Sequence, residues 1–445
     1  MKKHLTTLKT FTLILLGTLI SQNTYAGLPA KVLVGYWHNW EELKIREVDP
    51  RYNVIMLSFL EADKNGVSTD NKVQDLEFDV HWTSNQNEVK SDIALMQAKG
   101  KSVLMSIGGG NGSFKLNSAA EKDVFVSKVK GVIQTYGVDG IDIDLENKVY
   151  LCMNSGTIAN PEKHIQLIID GIREIRDWYS QTYGKKMLLT MAPETHYVQG
   201  GLSQYATCAG GYLPIIEALR KDIDLLMVQL YNSGSVFDLN QTPRTQGDPT
   251  FIVSMTEAVI RGFTAEKGLG NFSGISSNKV VVALPASSCA AGSGYVSPTD
   301  MKAAMKYLMG TGLKVGSYTL KKSSGYSDLR GLMTWSINND LKTCGGSTAY
   351  QFADAAEDIL GSAALSSGQL ENSSAFSVFP NPTEGHVTVN RSKGETTVIQ
   401  ISNSSGAVVL NVAATGKVVN LNISKLSKGL YFVTVDGVSQ KIIKN

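Results

Sequence analysis

Between Lys31 and Leu360, short apolar runs rich in β-formers alternate with stretches that repeat apolar residues at helical spacing. Eight runs read as strands: Val32–Trp37, Asn53–Phe59, Val103–Ile107, Gly140–Glu146, Met187–Ala192, Leu225–Tyr231, Val280–Pro285 and Gly331–Ile337. Ile165, Ile168, Ile172, Ile175 and Tyr179 form one helical stripe, and Val124, Val126, Val129 and Ile133 a shorter one. Ala303, Met305 and Leu308 indicate another helix, and Phe352–Ile359 closes the series. Eight strands alternating with helices over roughly 330 residues predict an α/β chain folded as a (β/α)8 TIM barrel. An open doubly wound sheet is the alternative, but it asks for a Gly-rich phosphate turn after an early strand. Gly108-Gly109-Gly110 follows the third strand instead. No helix is expected to open on it, and it reads as backbone approaching a ligand.

Past the barrel the pattern changes. Residues 362–374 are small and polar, a linker after a barrel spanning 27–361. Alternating runs then follow at Val387–Val389, Thr397–Ile401, Val408–Leu410, Val418–Leu421 and Tyr431–Val435, spaced by Gly, Asn and Ser. They predict a small all-β sandwich over 375–445. At the other end, Lys2, Lys3 and His4 precede the apolar stretch Phe11–Ile20 and then Thr24-Tyr25-Ala26. Residues 1–26 read as a secretory signal peptide, too short for a membrane span. No later stretch is apolar enough to span a bilayer.

One strand departs from ordinary strand chemistry. In Asp139-Gly140-Ile141-Asp142-Ile143-Asp144-Leu145-Glu146, apolar residues alternate with Asp142, Asp144 and Glu146. Successive side chains point to opposite faces, so three carboxyls stand in file roughly 6–7 Å apart. Carboxyls so close must share protons, which raises at least one pKa and makes a general acid available near neutral pH. Asp139 is out of phase with the other three and is expected to serve as a structural hydrogen-bonding acid.

Charge and cysteine content narrow the setting. Lys and Arg number 42 against 40 Asp and Glu, a net charge of +2. This balance points away from a nucleic-acid partner or a charged membrane surface and toward a neutral substrate. Six His lie without metal-ligand spacing, so neither metal nor other cofactor is expected. Four cysteines in an exported chain are expected to pair, with three connectivities open.

In a barrel of this kind, chemistry sits where strands end and loops begin. Tyr36-Trp37, Phe59, Ser106, Glu146, Met191-Ala192-Pro193-Glu194, Gln229-Leu230-Tyr231-Asn232 and Trp335-Ser336-Ile337-Asn338 all occupy such positions. Aromatic platforms with amides and carboxyls around one mouth make the composition of a sugar site.

Asp139-x-x-Asp142-x-Asp144-x-Glu146 resembles the signature of glycoside hydrolase family 18, the chitinases and their relatives. Ser106-Ile107-Gly108-Gly109, Met191-Ala192-Pro193-Glu194, Gln229-x-Tyr231-Asn232 and Met333-Thr334-Trp335-Ser336-Ile337-Asn338 resemble its motifs at the third, fifth, sixth and eighth strands, in that order. Asn339 stands where close relatives often carry Trp. The resemblance implies retaining hydrolysis in which the substrate's own acetamido oxygen attacks the anomeric carbon. It assigns Glu146 as the acid and then base, Asp144 as the partner of the acetamido N–H, Asp142 as the group sharing its proton, and Tyr231 as the holder of the acetamido oxygen. Tyr36, Phe59, Gly109, Met191, Ala192, Gln229, Asn232 and Trp335 are the expected substrate-binding residues. The expected substrate is chitin or its oligosaccharides. Only about a dozen residues separate Pro285 from the helix expected near Ser297, so the extra domain that deepens the groove in one branch of the family is lacking. That favours an open, endo-acting groove. The alternatives are an endo-β-N-acetylglucosaminidase acting on N-glycans and a non-hydrolytic chitin-binding lectin, although lectin-like members typically lose the acid that Glu146 retains.

Strand order also bears on the cysteines. Cys152, Cys208, Cys289 and Cys344 follow the fourth, fifth, seventh and eighth strands, so Cys152–Cys208 and Cys289–Cys344 are the expected pairs. In the tail, Phe379-Pro380-Asn381-Pro382-Thr383, Leu426-Ser427-Lys428-Gly429-Leu430-Tyr431 and Lys441-Ile442-Ile443-Lys444 resemble the type IX secretion sorting domain. The implied partner is the secretion machinery, and the implied location is extracellular or cell-surface. The tail lacks Trp, and its Phe376, Phe379, Tyr431 and Phe432 are spent at strand positions, which disfavours a carbohydrate-binding module. A monomer is expected.

Overall fold

Eight parallel strands ring the larger part of the chain: β1 (Val32–His38), β2 (Val54–Glu61), β3 (Ser102–Gly108), β4 (Gly140–Leu145), β5 (Leu188–Met191), β6 (Leu225–Leu226), β7 (Val281–Pro285) and β8 (Gly331–Trp335). Their pairing runs β7-β8-β1-β2-β3-β4-β5-β6. Single bridges from Leu226 to Val280 and from Gln229 to Ala283 close the ring. The computed structural model describes residues 28–62, 71–146, 151–203, 208–365, 376–391, 394–403, 407–435 and 438–445. The expected signal peptide and most of the expected linker fall outside these residues.

Both faces of each strand are covered, as parallel sheets require. Leu33, Ile55, Met105, Ile141, Ile143 and Leu189 pack outward against the helices, whereas Val34, Met56, Leu104, Ala283 and Met333 fill the interior. Among the described residues the longer helices are α1 (Gln86–Ala98), α2 (Ala119–Tyr136), α3 (Lys163–Tyr183), α4 (Leu213–Leu219), α5 (Pro249–Arg261), α6 (Pro298–Leu308) and α7 (Gln351–Leu360). Four of them start on a capping side chain: Asn85, Ser118, Asp248 and Ser297 each accept a backbone N–H of the first turn. The stripe Ile165, Ile168, Ile172, Ile175 and Tyr179 is buried on α3 as expected. On α6 the buried stripe is Met301, Ala304, Met305 and Leu308, and Ala303 faces solvent, one position off the expected phase.

Two further expectations need correction. The sixth strand shrinks to Leu225–Leu226, because beyond it the chain makes only single bridges, from Gln229 to Glu194 and Ala283. A one-turn helix, Gly109–Gly112, does open on the triple glycine. A Cβ on Gly108 would strike the Asp144 backbone and one on Gly109 the Phe59 ring, so the glycines allow close packing beside the acid strand.

The tail forms two antiparallel sheets. One contains β9 (Phe376–Phe379), β10 (His386–Arg391) and β13 (Val418–Asn422); the other contains β11 (Thr397–Asn403), β12 (Val408–Ala414), β14 (Gly429–Val435) and β15 (Val438–Lys444). Phe376, Val389, Ile399, Ile401, Val433 and Ile442 form their common core. Phe379 lies on its strand but is half exposed. The expected linker begins too early, because Ser362–Leu365 is helical and Leu365 is buried among the barrel's apolar residues.

Candidate active site

The alternation on β4 separates two chemistries. Ile141, Ile143 and Leu145 lie under the helices, and Asp142, Asp144 and Glu146 rise through the barrel toward its carboxyl end. Ser106 and Thr190 flank Asp142 in register on the neighbouring strands. Ser106 Oγ donates to Asp142 Oδ2 at 2.7 Å, Thr190 Oγ1 to Oδ1 at 2.6 Å, and Tyr36 Oη to Oδ2 at 2.7 Å. Burial pushes the Asp142 carboxyl above its ordinary value, and the three hydroxyls oppose that rise. Both oxygens of Asp142 are therefore occupied by hydroxyl donors.

Asp144 is buried one layer above, raised well beyond the ordinary range by burial and by the Glu146, Asp142 and Glu194 carboxyls. Burial lifts Glu146 to about 7; hydrogen bonds from Gln229 and Asp144 pull against it, and the Glu194 charge adds to it. Gln229 ties the pair together. Its Nε2 lies 3.0 Å from Asp144 Oδ1, 3.0 Å from Glu146 Oε1 and 2.9 Å from the Ala192 carbonyl. The Glu146 backbone N–H donates to Ser113 Oγ at 2.8 Å, fixing where the strand ends. The Tyr231 phenol is held far above its ordinary value by burial and by Asp144 and Glu146, so it remains a proton donor.

A cleft of about 630 Å³ opens above these groups, lined by Phe59, Glu61, Gly110, Asn111, Glu146, Gln229, Tyr231, Asn232 and Trp335, with Asn39, Trp40, Asp79, Val80, His81 and Trp82 along one side. Phe59 and Trp335 stack with ring centroids 5.7 Å apart and planes within 17°. Tyr36 packs beneath Trp335 at 5.7 Å.

Of the expected substrate-binding residues, Phe59, Gln229, Asn232 and Trp335 line the cleft. Tyr36 and Ala192 lie beneath it, Tyr36 on Asp142 and Ala192 offering a carbonyl to Gln229. Gly109 is covered by Phe59, and Gly110 is the glycine that reaches the cleft. Met191 is a correction. Thr190 and Ala192 face the interior, so by strand alternation Met191 faces the helices, where it is fully buried. Asp139 accepts from the Val103 N–H and Gln97 Nε2 at 3.0 Å each and lies 3.4 Å from Lys185, away from the cleft.

Several site residues had no strong signal in the sequence. Glu194 adds a fourth carboxyl to the electrostatics of Asp144 and Glu146, a role that neither its place at a strand end nor its motif assigns. Trp40 is 46% exposed and Trp82 83% exposed. With Trp335 they put three of the five Trp on the cleft. Their loops carry no period that would reveal this.

Two disulfides, Cys152–Cys208 and Cys289–Cys344, have Cα atoms 4.3 and 6.1 Å apart, the expected pairing. They join loops that follow β4 and β5, and β7 and β8. Among the described residues no group of three His, Cys, Asp or Glu is arranged to hold a metal ion, and no helix is long and apolar enough to cross a membrane.

Residues 32–327 match the sequence profile of the Glycosyl hydrolases family 18, and residues 377–445 that of the Secretion system C-terminal sorting domain. Chitinase Chi52 of Paenibacillus xylanexedens is 39% identical over 321 residues, 70% of this chain and 59% of that protein. Chitinase ChiA of Flavobacterium johnsoniae is 32% identical over 436 residues, 94% of this chain and 27% of that protein. The chain thus spans less than two thirds of either relative's length. The crystal structure of a family GH18 chitinase from Chromobacterium violaceum aligns with a TM-score of 0.63 at 28% identity, covering 76% of this chain and 84% of that one.

Proposed function

Because the chain belongs to glycosyl hydrolase family 18 and ends in a secretion system sorting domain, we propose that it is an exported chitinase. It cleaves β-1,4 bonds between N-acetylglucosamine units, within chains and with retention of configuration. The observation that carries this reading is the file of buried Asp142 and Asp144 leading to Glu146 at a cleft that holds stacked aromatic rings.

The chemistry follows from the environment of each group. Burial lifts Glu146, at the edge of the cleft, to about 7, so a large share of it keeps its proton near neutral pH, the state a general acid needs to protonate a leaving glycosidic oxygen. Once it has lost that proton it can take one from the incoming water. Asp144, 2% exposed, is the buried partner for the acetamido N–H and for the positive charge that develops when the acetamido oxygen attacks. In this state Asp144 faces Gln229 and Glu146, and Asp142 is saturated by three hydroxyls. Sharing a proton between Asp142 and Asp144 therefore requires Asp144 to turn downward when substrate arrives. Tyr231 donates to the acetamido oxygen, and Trp335 supplies the floor under the distorted sugar.

The test is a product profile. Soluble chitin oligomers of four to six units should yield shorter oligomers with the β-anomer formed first, and a thiazoline analogue of the sugar should inhibit. Hydrolysis of a high-mannose glycoprotein with chitin oligomers left intact would instead assign an endo-β-N-acetylglucosaminidase. Binding of oligomers without cleavage would assign a lectin.

A further inference from the structure

His38 ends β1 beneath the cleft and is 4% exposed, yet it takes no part in the acid chemistry. Its imidazole stacks on Trp40 with centroids 4.2 Å apart and planes within 17°, and it meets Trp335 at 4.8 Å on a tilt of 44°. Trp40 in turn stacks toward Phe59 at 6.2 Å and lies 6.3 Å from Trp335. The imidazole thus fills the gap between two rings that both line the cleft.

The imidazole is fixed from behind. His38 Nδ1 is 3.0 Å from Glu41 Oε1, and Glu41 Oε2 accepts from Lys342 Nζ at 2.7 Å and Asn338 Nδ2 at 3.3 Å. The Asn338 side-chain oxygen Oδ1 accepts the His38 backbone N–H at 2.9 Å. Burial pushes the Glu41 carboxyl up, but hydrogen bonds from Lys342 and His38 outweigh it, so Glu41 is ionised and accepts the Nδ1 proton. Nε2 then carries the bare lone pair, and it finds no partner among the described residues. A buried ring nitrogen left without a partner is unfavourable. Ring packing, not a second hydrogen bond, explains why an imidazole lies here. Lys342 stands two positions before Cys344, so the anchoring loop is itself stapled by the Cys289–Cys344 bridge.

We propose that His38 is a positioning residue for the cleft: held by Glu41, Lys342 and Asn338, its ring sets the pitch of Trp40 and so shapes the platform that Trp40, Phe59 and Trp335 offer to a sugar chain. The inference rests on the reading of the cleft as a chitin site. The experiment measures KM and kcat on a soluble chitin hexamer for the full chain and for Trp40→Ala, His38→Ala, the double variant and His38→Phe. Trp40→Ala and His38→Ala should each raise KM about five- to tenfold, the range of one lost stacking contact, with kcat within twofold. If His38 acts through Trp40, the double variant is no worse than Trp40→Ala alone. His38→Phe keeps a flat ring in the slot and should keep KM within threefold. Effects that multiply in the double variant, or a kcat loss in His38→Ala that matches the KM change, overturn the proposal. Should His38→Ala not fold, His38→Phe decides: KM within threefold supports the proposal, and a fivefold or greater rise overturns it. If the wild-type chain turns over no oligomer, the chitinase reading has failed and acrylamide quenching decides instead. The emission component that disappears in Trp40→Phe should become more quenchable in His38→Ala, and an unchanged component overturns the proposal.

Discussion

Tyr36 reaches across 106 positions of sequence to give its phenol proton to Asp142 Oδ2 at 2.7 Å. With Ser106 and Thr190 it favours the charged form of an acid that burial would neutralise. After burial and Glu146, the Asp142 carboxyl beneath it is a further cause that raises Asp144. Tyr36→Phe removes one of the three hydroxyl donors to the buried Asp142 carboxyl, a loss of about 1.5 kcal/mol, so kcat on chitin oligomers should fall about tenfold with little change in KM. An unchanged kcat would separate Tyr36 from the acid file.

The second prediction is a pH profile. A general acid must hold its proton, so kcat/KM should decline as pH rises through about 7, the value burial gives Glu146. Glu194 places a second negative charge nearby, which makes ionisation of Glu146 harder. Glu194→Gln removes that charge and lets the proton leave earlier, so the alkaline limb should move to lower pH. A limb that stays in place or moves upward would show that Glu194 does not act on the acid.

The third concerns the staple behind the acid. Cys152–Cys208 ties the loop after Glu146 to the loop after Glu194, across a sequence separation of 56. Removing it by paired Ser substitutions should lower stability by roughly 2–4 kcal/mol, read as a drop in Tm under non-reducing conditions. An unchanged Tm would mean that the bridge does not form.

Much of this site was readable because one strand carried it. Period two in Ile141–Glu146 gave both the outward apolar face and the inward acids, and parallel neighbours had to follow in order. The same alternation, applied to Thr190 and Ala192, would have turned Met191 outward, but its motif placed it on the substrate list. Most of the other barrel strands were legible for a different reason, as short runs apolar on both faces. Trp40, Trp82 and Glu194 were not, because loops carry no period and their approach to the cleft depends on tertiary contacts such as Asn39 Nδ2 to the Asp79 carbonyl at 2.7 Å. The helical turn Ser362–Leu365 was hidden by its small residues, which read as linker until Leu365 is seen buried.

That turn changes the truncation experiment. A chain ending at Ser362 strips Leu365 from the barrel core and should lose stability, about 2 kcal/mol or more for one large buried side chain. A chain ending at Ser367 keeps Leu365 and removes only the sorting domain and the segment before it. It should match the full chain on soluble oligomers and on solid chitin, because every proposed catalytic group precedes Asn338. Equal oligomer rates with lost binding to solid chitin would give the tail a substrate-binding role.

The central claim is that Glu146 is the acid of a chitin hydrolase, and single-turnover and steady-state rates of Glu146→Gln on a soluble chitin hexamer test it most directly. Gln keeps the shape and the contact with Gln229 but has no proton to give. The account predicts a folded protein that still binds the oligomer and whose turnover is lower by about a hundredfold or more. A variant that keeps more than a tenth of the wild-type turnover would contradict it.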